Sequence, residues 1–239
     1  MTRILHLDAS ARPGRAGIDP HGSVTRLLTR RVVDRWQAGR PGTHVTYRDV
    51  GATPPAPVSG AWIAAAFAPE ADHAPWMDDV LAESDQLIEE VRAADVLVLG
   101  VPLYNFSMPS AFKAWIDNII RVGRTVIVNP DTPEEPYTPL LADRPVILVV
   151  SRGGFGMNEG GPLAHMNHLE ASVRTALGFI GLTSVHEVAV EYQELGGDLL
   201  AASLRDAETR LDELVMSLQS RAPARAPARA PAPPHSLSA

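Results

Sequence analysis

Three short stretches of the chain carry residue types and spacings that could hold a ligand. The first is Asp8-Ala9-Ser10-Ala11-Arg12-Pro13-Gly14, followed by Gly22-Ser23-Val24-Thr25-Arg26 at the expected start of a helix. Hydroxyls and outward-pointing backbone N–H groups at a helix N-terminus favour an anion, and the helix dipole adds to the effect. Ser10, Ser23 and Thr25 could each donate to a phosphate, with Val24 adding a backbone N–H. A plain N-cap at Gly22 or Ser23 accounts for the same residues. The stretch has neither the Gly-Lys-Ser/Thr of a Walker loop nor a dinucleotide glycine fingerprint. The second stretch is Pro102-Leu103-Tyr104-Asn105-Phe106-Ser107-Met108-Pro109-Ser110. It offers a flat, partly apolar wall and an amide, which suits a conjugated ring. Read structurally, it is a capping turn with two core aromatics, Ser107 as the helix N-cap and Pro109 in the first turn. The third is Ser151-Arg152-Gly153-Gly154-Phe155-Gly156, whose adjacent glycines let backbone N–H groups approach a ligand closely. A flexible strand-to-helix loop is the plainer reading. Together the three describe an elongated ligand with a phosphate at the first stretch and its ring between the other two.

Such convergence requires a particular scaffold. Five apolar runs, Ile4–Leu7, Val45–Tyr47, Val96–Val101, Val146–Val150 and Val185–Val190, alternate with segments of helical period. The third and fourth runs are almost continuously apolar and Val-rich, as expected of strands buried on both faces of a parallel sheet. The second and fifth alternate more and suit edge strands. Helical stripes are formed by Val24, Leu27, Leu28, Val32 and Trp36; by Val80, Leu81, Ser84, Leu87, Ile88 and Val91; and by Phe112, Trp115, Ile116, Ile119 and Ile120. A fourth helix is expected over 163–179, and a fifth carries Leu200, Leu204, Ala207, Leu211, Leu214 and Leu218. Lys113, Asp117 and Arg121 are spaced to pair along the third helix. The repeated alternation predicts an α/β doubly wound sheet, in which ligands collect at the carboxyl ends of the strands. All three stretches follow such strands.

The 239 residues suit one domain, expected over 1–219, followed by an Ala/Pro/Arg-rich disordered tail over 220–239. Residues 53–75 are Pro-rich and read as an excursion. The net charge of −7 argues against nucleic acid as partner. No apolar run reaches the roughly 20 residues of a membrane span, and the start is too polar for a signal peptide, so the expected location is the cytoplasm. There are no cysteines, which removes thiolate metal sites and thiol redox chemistry. Any redox work then falls to a bound cofactor.

With these residues in hand, the chain resembles the flavin mononucleotide (FMN)-dependent NADH:azoreductases and quinone reductases from Met1 to about Ser220. The resemblance is carried by Pro102-Leu103-Tyr104-Asn105-Phe106 with Lys113, Trp115-Ile116-Asp117 and Gly123-Arg124-Thr125. Further support comes from Ser151-Arg152-Gly153-Gly154, from Ser10 with Ser23-Val24-Thr25, and from Leu177-Gly178-Phe179-Ile180-Gly181. It implies a flavodoxin-like fold with strand order 2-1-3-4-5, and a homodimer with FMN near the interface. It also implies ping-pong transfer of two electrons from NADH or NADPH to a quinone or aromatic azo compound. Carried over by position, Ser10 and Ser23 to Thr25 would hold the phosphate. Pro102 to Phe106 and Ser151 to Gly154 would hold the ring. The chain departs from the family in the length of Arg15–Gly22, at Val126, in 53–75 and in the tail.

No side chain is required as nucleophile, and no metal site is expected. His165 and His168 read as a surface pair, with His165 open to a place near the substrate mouth; Asp131, Glu134 and Glu135 read as a solvated loop, with a lid as the alternative; Tyr104 reads as a packing residue, with proton donation as the alternative. Trp62, Phe67 and Trp76 read as a dimer contact or as packing on the second helix. Arg12, Arg15 and Arg26 are each open to the 2′-phosphate of NADPH. The principal rival is a flavodoxin-type electron carrier, although this chain is larger and less acidic than such carriers. The other is a non-enzymatic adaptor that has lost the cofactor.

Overall fold

The computed structural model describes residues 1–221. Five parallel strands form one sheet: β1 (Arg3–Asp8), β2 (His44–Asp49), β3 (Val96–Pro102), β6 (Val146–Ser151) and β7 (Val185–Val190). Their spatial order is β2-β1-β3-β6-β7. Counting only these five, this is the expected 2-1-3-4-5. The runs expected to lie at the centre do so: every residue of β3 is buried, and β6 is buried up to Ser151. The alternating runs, β2 and β7, form the two edges.

Period-two alternation divides the core. Leu5, Leu7, Leu97, Leu99, Leu148 and Val150 face a layer made by α3 (Pro75–Ala93), α4 (Ser110–Ile119) and α5 (Leu169–Phe179), including Ile88, Phe112, Trp115 and Val173. Ile4, Val96, Val98, Ile147 and Val149 face α1 (Val24–Gly39) and α6 (Gly197–Ser220), through Leu28, Val32, Trp36, Leu211 and Val215. Burying both faces of the sheet supplies the main driving force, about 1.5–3 kcal/mol for each large aliphatic side chain.

Several expectations need correction. The 53–75 excursion contains α2 (Gly60–Ala66), capped by Ser59 and anchored by Trp62 against Ala65 and Leu81. Phe67 and Trp76 remain exposed on the same subunit. A small antiparallel hairpin, β4 (Val126–Val128) with β5 (Tyr137–Pro139), frames the exposed acidic loop of Asp131, Glu134 and Glu135. Helix α4 begins at Ser110 with Pro109 at the cap position, so Ser107 is not the N-cap. Ser107 instead closes a tight turn with Tyr104. Helix α5 begins at Leu169, not at 163, because Asn167 is extended and the His168 N–H is drawn to the Phe106 carbonyl at 2.9 Å. Lys113 pairs with Asp117 at 2.5 Å, but Arg121 lies beyond the end of α4 and turns to Ser84 and Asp85 of α3. Helix α6 runs through Ser220, the first residue assigned to the tail; residues 222–239 lie outside the described residues.

Candidate functional site

The carboxyl ends of β1, β3 and β6 lie side by side, with Asp8 opposite Gly100 and Pro102 opposite Ser151. The three following loops are joined directly. The Leu103 N–H donates to the Ser151 carbonyl at 2.9 Å, linking the second loop to the third. The Ala11 N–H donates to the Tyr104 hydroxyl at 3.2 Å, linking the first to the second. Tyr104 therefore does more than pack: it ties two loops together.

In the first loop, residues 15–22 form a side excursion pinched at its base. The Ser23 N–H donates to the Gly14 carbonyl and the Ala16 N–H to the Ser23 carbonyl. Gly22 is needed there, since a Cβ would strike the Arg15 backbone. The pinch leaves Ser23 as the N-cap of α1, its Oγ accepting the Arg26 N–H at 3.3 Å. Ser23 Oγ also lies 3.0 Å from Thr25 Oγ1. Whichever hydroxyl donates, the other keeps a hydrogen for a ligand. Ser10, Ser23, Val24 and Thr25 are all buried. The N–H groups of Ser10, Val24 and Thr25 have no acceptor among the described residues. Three free amides at the positive end of α1, with hydroxyls beside them, make an anion cradle.

The second loop is strained. Asn105 and Phe106 both have left-handed backbone, at φ 45° and 71°, between reciprocal hydrogen bonds of Tyr104 and Ser107. This conformation costs an L-residue such as Phe about 1–2 kcal/mol. The His168–Phe106 bond helps to hold it. The turn exposes the Phe106 ring and leaves the Asn105 and Phe106 N–H groups without acceptors among the described residues. Pro102 is buried at the strand end, and Leu103 is half-buried below the turn.

In the third loop, the Gly153 and Gly154 N–H groups also lack acceptors among the described residues, while their carbonyls accept from Glu194 and Tyr192. A Cβ on Gly153 would meet the Glu194 carboxylate at 2.5 Å, whereas one on Gly154 would find nothing nearer than Met157 Cε at 3.7 Å. Arg152 is held by the scaffold, with its buried Nε–H left without a partner among the described residues. Its N–H donates to Val190 and its carbonyl accepts from Gln193. Its fully buried guanidinium meets Glu170, Glu187, Glu191 and Asn158. Burial, with the charge of Glu170, holds the Glu187 carboxyl above its usual range despite Arg152 and Arg174.

Two features are absent from the sequence reading. Phe155 stacks on Tyr192 at 5.1 Å, and Tyr192, beyond β7, is itself left-handed at φ 67°. A buried polar group underlies the first loop: Asp8 accepts from Thr29 at 2.9 Å and from Tyr47 at 3.1 Å, with His6 at 3.3 Å and Arg26 at 3.9 Å. Burial, then Asp8 and Asp49, push the Tyr47 hydroxyl well above its ordinary range, so it stays a donor. Spacing gave no hint of either, because each joins residues from separate elements. His165 and His168 are exposed, and no metal-binding cluster occurs among the described residues.

A family model for the flavodoxin-like fold matches residues 2–215. The FMN-dependent NADH:quinone oxidoreductase 1 of Pseudomonas fluorescens is 41% identical over 215 residues, covering 90% of this chain and 98% of that one.

The chain belongs to the FMN-dependent NADH:quinone oxidoreductase family.

A second member, the FMN-dependent NAD(P)H:quinone oxidoreductase 1 of Pseudomonas aeruginosa, is 41% identical over 218 residues, 91% of this chain and 100% of its own. Solved structures share the fold. An azoreductase from Bacillus anthracis superposes with a TM-score of 0.77 at 23% identity, covering 91% of this chain and 100% of that one. An FMN-dependent NADH-azoreductase of the same organism, solved in complex with FMN, gives 0.76 at 16% identity, with 91% and 99% covered. No helix among the described residues is long and apolar enough to cross a membrane.

Proposed function

We propose that the protein holds FMN across the ends of β1, β3 and β6 and carries two electrons from NAD(P)H to quinones and aromatic azo compounds. The observation that carries this reading is the set of amides at Ser10, Val24, Thr25, Asn105, Phe106, Gly153 and Gly154, without acceptors among the described residues and all at one end of the sheet. The donor chemistry fits the group. Ser10, Ser23, Val24 and Thr25 would hold the phosphate with amides, hydroxyls and a helix dipole. Pro102 to Phe106 would wall the ring, and Gly153 and Gly154 would line its edge, with Ser151 and Arg152 fixing the glycines through strand pairing and the carboxylate cage. Bound FMN supplies a ring that can accept and release a hydride.

The chain's own residues do the positioning. The strained Asn105–Phe106 turn presents amides and an aromatic face together. The Gly153 and Gly154 N–H groups favour negative charge developing on the ring edge, as oriented amides do in a site sheltered from water. Nicotinamide and acceptor would use the same open face in turn, a ping-pong order. A cytoplasmic homodimer with FMN near the interface is part of the proposal, and the exposed Tyr104, Phe106 and Phe155 around the site support the interface.

The test is anaerobic. FMN-loaded protein mixed with NADH or NADPH should lose its visible flavin absorbance, and a quinone or azo dye should restore it. A protein that takes up no FMN, or whose FMN neither nicotinamide reduces, would refute the proposal. Sedimentation should give twice the chain mass.

A further inference from the structure

Arg26 occupies the first turn of α1, next to the phosphate cradle, and is only 7% exposed. A cation there is opposed both by burial and by the positive end of the helix dipole. The structure satisfies every N–H of its guanidinium. Nη1 donates to Asp49 Oδ2 at 2.6 Å and to the Tyr47 hydroxyl at 2.9 Å. Nη2 donates to Asp49 Oδ1 at 2.7 Å and to the Ser10 carbonyl at 2.8 Å. Nε donates to the Arg12 carbonyl at 2.9 Å. The fork thus grips two alternate carbonyls of the first loop while Asp49 grips the fork. Asp49 is itself fixed by the Ala52 N–H at 3.0 Å. Next to it, the Gly51 N–H donates to the Asp8 carbonyl at 3.1 Å, and a Cβ at Gly51 would strike the Ser10 carbonyl. Burial works against both charges, yet their pairing leaves the Asp49 carboxyl below its usual range and the Arg26 guanidinium above its own.

No guanidinium N–H is left for a phosphate. With the Ser10 and Arg12 carbonyls drawn toward Arg26, the Ser10 N–H has no acceptor among the described residues, the Ala11 N–H goes to Tyr104 and the Arg12 N–H to Ser10 Oγ at 3.2 Å. We propose that Arg26, clamped by Asp49, is a positioning residue that sets the Ser10 amide of the first loop for a phosphate and so selects 5′-phosphorylated flavin over unphosphorylated flavin. The inference rests on the FMN reading above. It also removes Arg26 from the residues open to the 2′-phosphate of NADPH.

Equilibrium titration of the full chain with FMN and, separately, with riboflavin, followed by flavin fluorescence, tests it. Arg26→Gln should raise the FMN dissociation constant about tenfold to a hundredfold, the scale of one charge-assisted hydrogen bond, and leave that for riboflavin within about twofold. Arg26→Lys should not restore FMN affinity, because an ammonium cannot span two carbonyls and a carboxylate. Asp49→Asn should weaken FMN as well, although it removes a negative charge near the phosphate, and it carries the test if Arg26→Gln folds poorly by circular dichroism. Rescue by Lys, or tighter FMN binding in Asp49→Asn, would make Arg26 a direct phosphate ligand and overturn the positioning role. A parallel loss of FMN and riboflavin would make the pair merely structural. Wild-type protein that binds riboflavin as tightly as FMN would remove the selectivity itself, and one that binds neither would refute the FMN reading on which the inference rests.

Discussion

Phe106 concentrates the conflict between fold and ligand. Its ring is exposed and its backbone is left-handed, both unfavourable for an aromatic L-residue in the absence of a partner. Glycine removes the backbone strain and keeps the turn bonds of Tyr104 and Ser107. Phe106→Gly should therefore keep or slightly raise the melting temperature, the relief of about 1 kcal/mol being offset by greater freedom in the unfolded chain. The same change should weaken FMN binding, because the wall for the ring is lost. A thermal melt and a flavin titration on one preparation check both, and a variant that loses stability while keeping affinity would show that the ring packs for the fold. Tyr104, Asn105 and Phe106 were read from the sequence as a wall for a ring, the role proposed for them above. Their φ angles were not, because left-handed geometry at a non-glycine residue is imposed by contacts such as that from His168, distant in sequence.

At the scale of the elements, the N-terminus of α1, the proposed phosphate site, depends on how closely that helix lies on β3. Gly100 allows the approach: a Cβ there would meet Asp8 Oδ1 at 2.5 Å and Thr29 Cγ2 at 2.9 Å. Gly100→Ala should cost about 1–3 kcal/mol through overpacking, read as a lower urea midpoint with unchanged slope. A second element-level test concerns the Arg152 cage between α5 and β7. The folded Glu187 carboxyl titrates above its unfolded value. It therefore favours the fold below the unfolded value, where it is protonated in both states, and that advantage is lost as pH rises through the folded value. Glu187→Gln should raise the melting temperature at neutral pH, and the gain should shrink as pH falls into the carboxyl range. A constant gain across pH would exclude charge as the cause. The strands and main helices were readable because burial on both faces leaves unbroken apolar runs in β3 and β6. The starts of α4 and α5 were misread because Ser107 and His168 are held by turn and inter-loop bonds that override local capping preference. Helix α2 was missed because its seven residues have one strong anchor, Trp62, within a Pro-rich stretch.

For the whole molecule, the order of the sheet does the functional work. Placing β1 between β2 and β3 brings the Asp49 turn against the first loop, and placing β6 beside β3 brings the glycine pair against the aromatic turn. That convergence followed from the α/β alternation and the position of three loops after apolar runs. The side-chain couplings among Arg26, Tyr47 and Asp49, and among Arg152, Glu170, Glu187 and Glu191, did not, since each joins residues far apart in sequence. The segment beyond Arg221 lies outside the described residues. The family match ends at residue 215, and the Pseudomonas aeruginosa relative is spanned along 100% of its own length by 91% of this chain. The last apolar anchors of α6, Val215 and Leu218, precede it. Truncation after Arg221 should thus leave the melting temperature within about 2 °C, the shift expected of a change below about 0.5 kcal/mol. FMN affinity and the kcat for NADH-dependent quinone reduction should match those of the full chain. A lower melting temperature would mean that residues 222–239 bind back onto the domain, while a selective fall in kcat would place them at the mouth of the site.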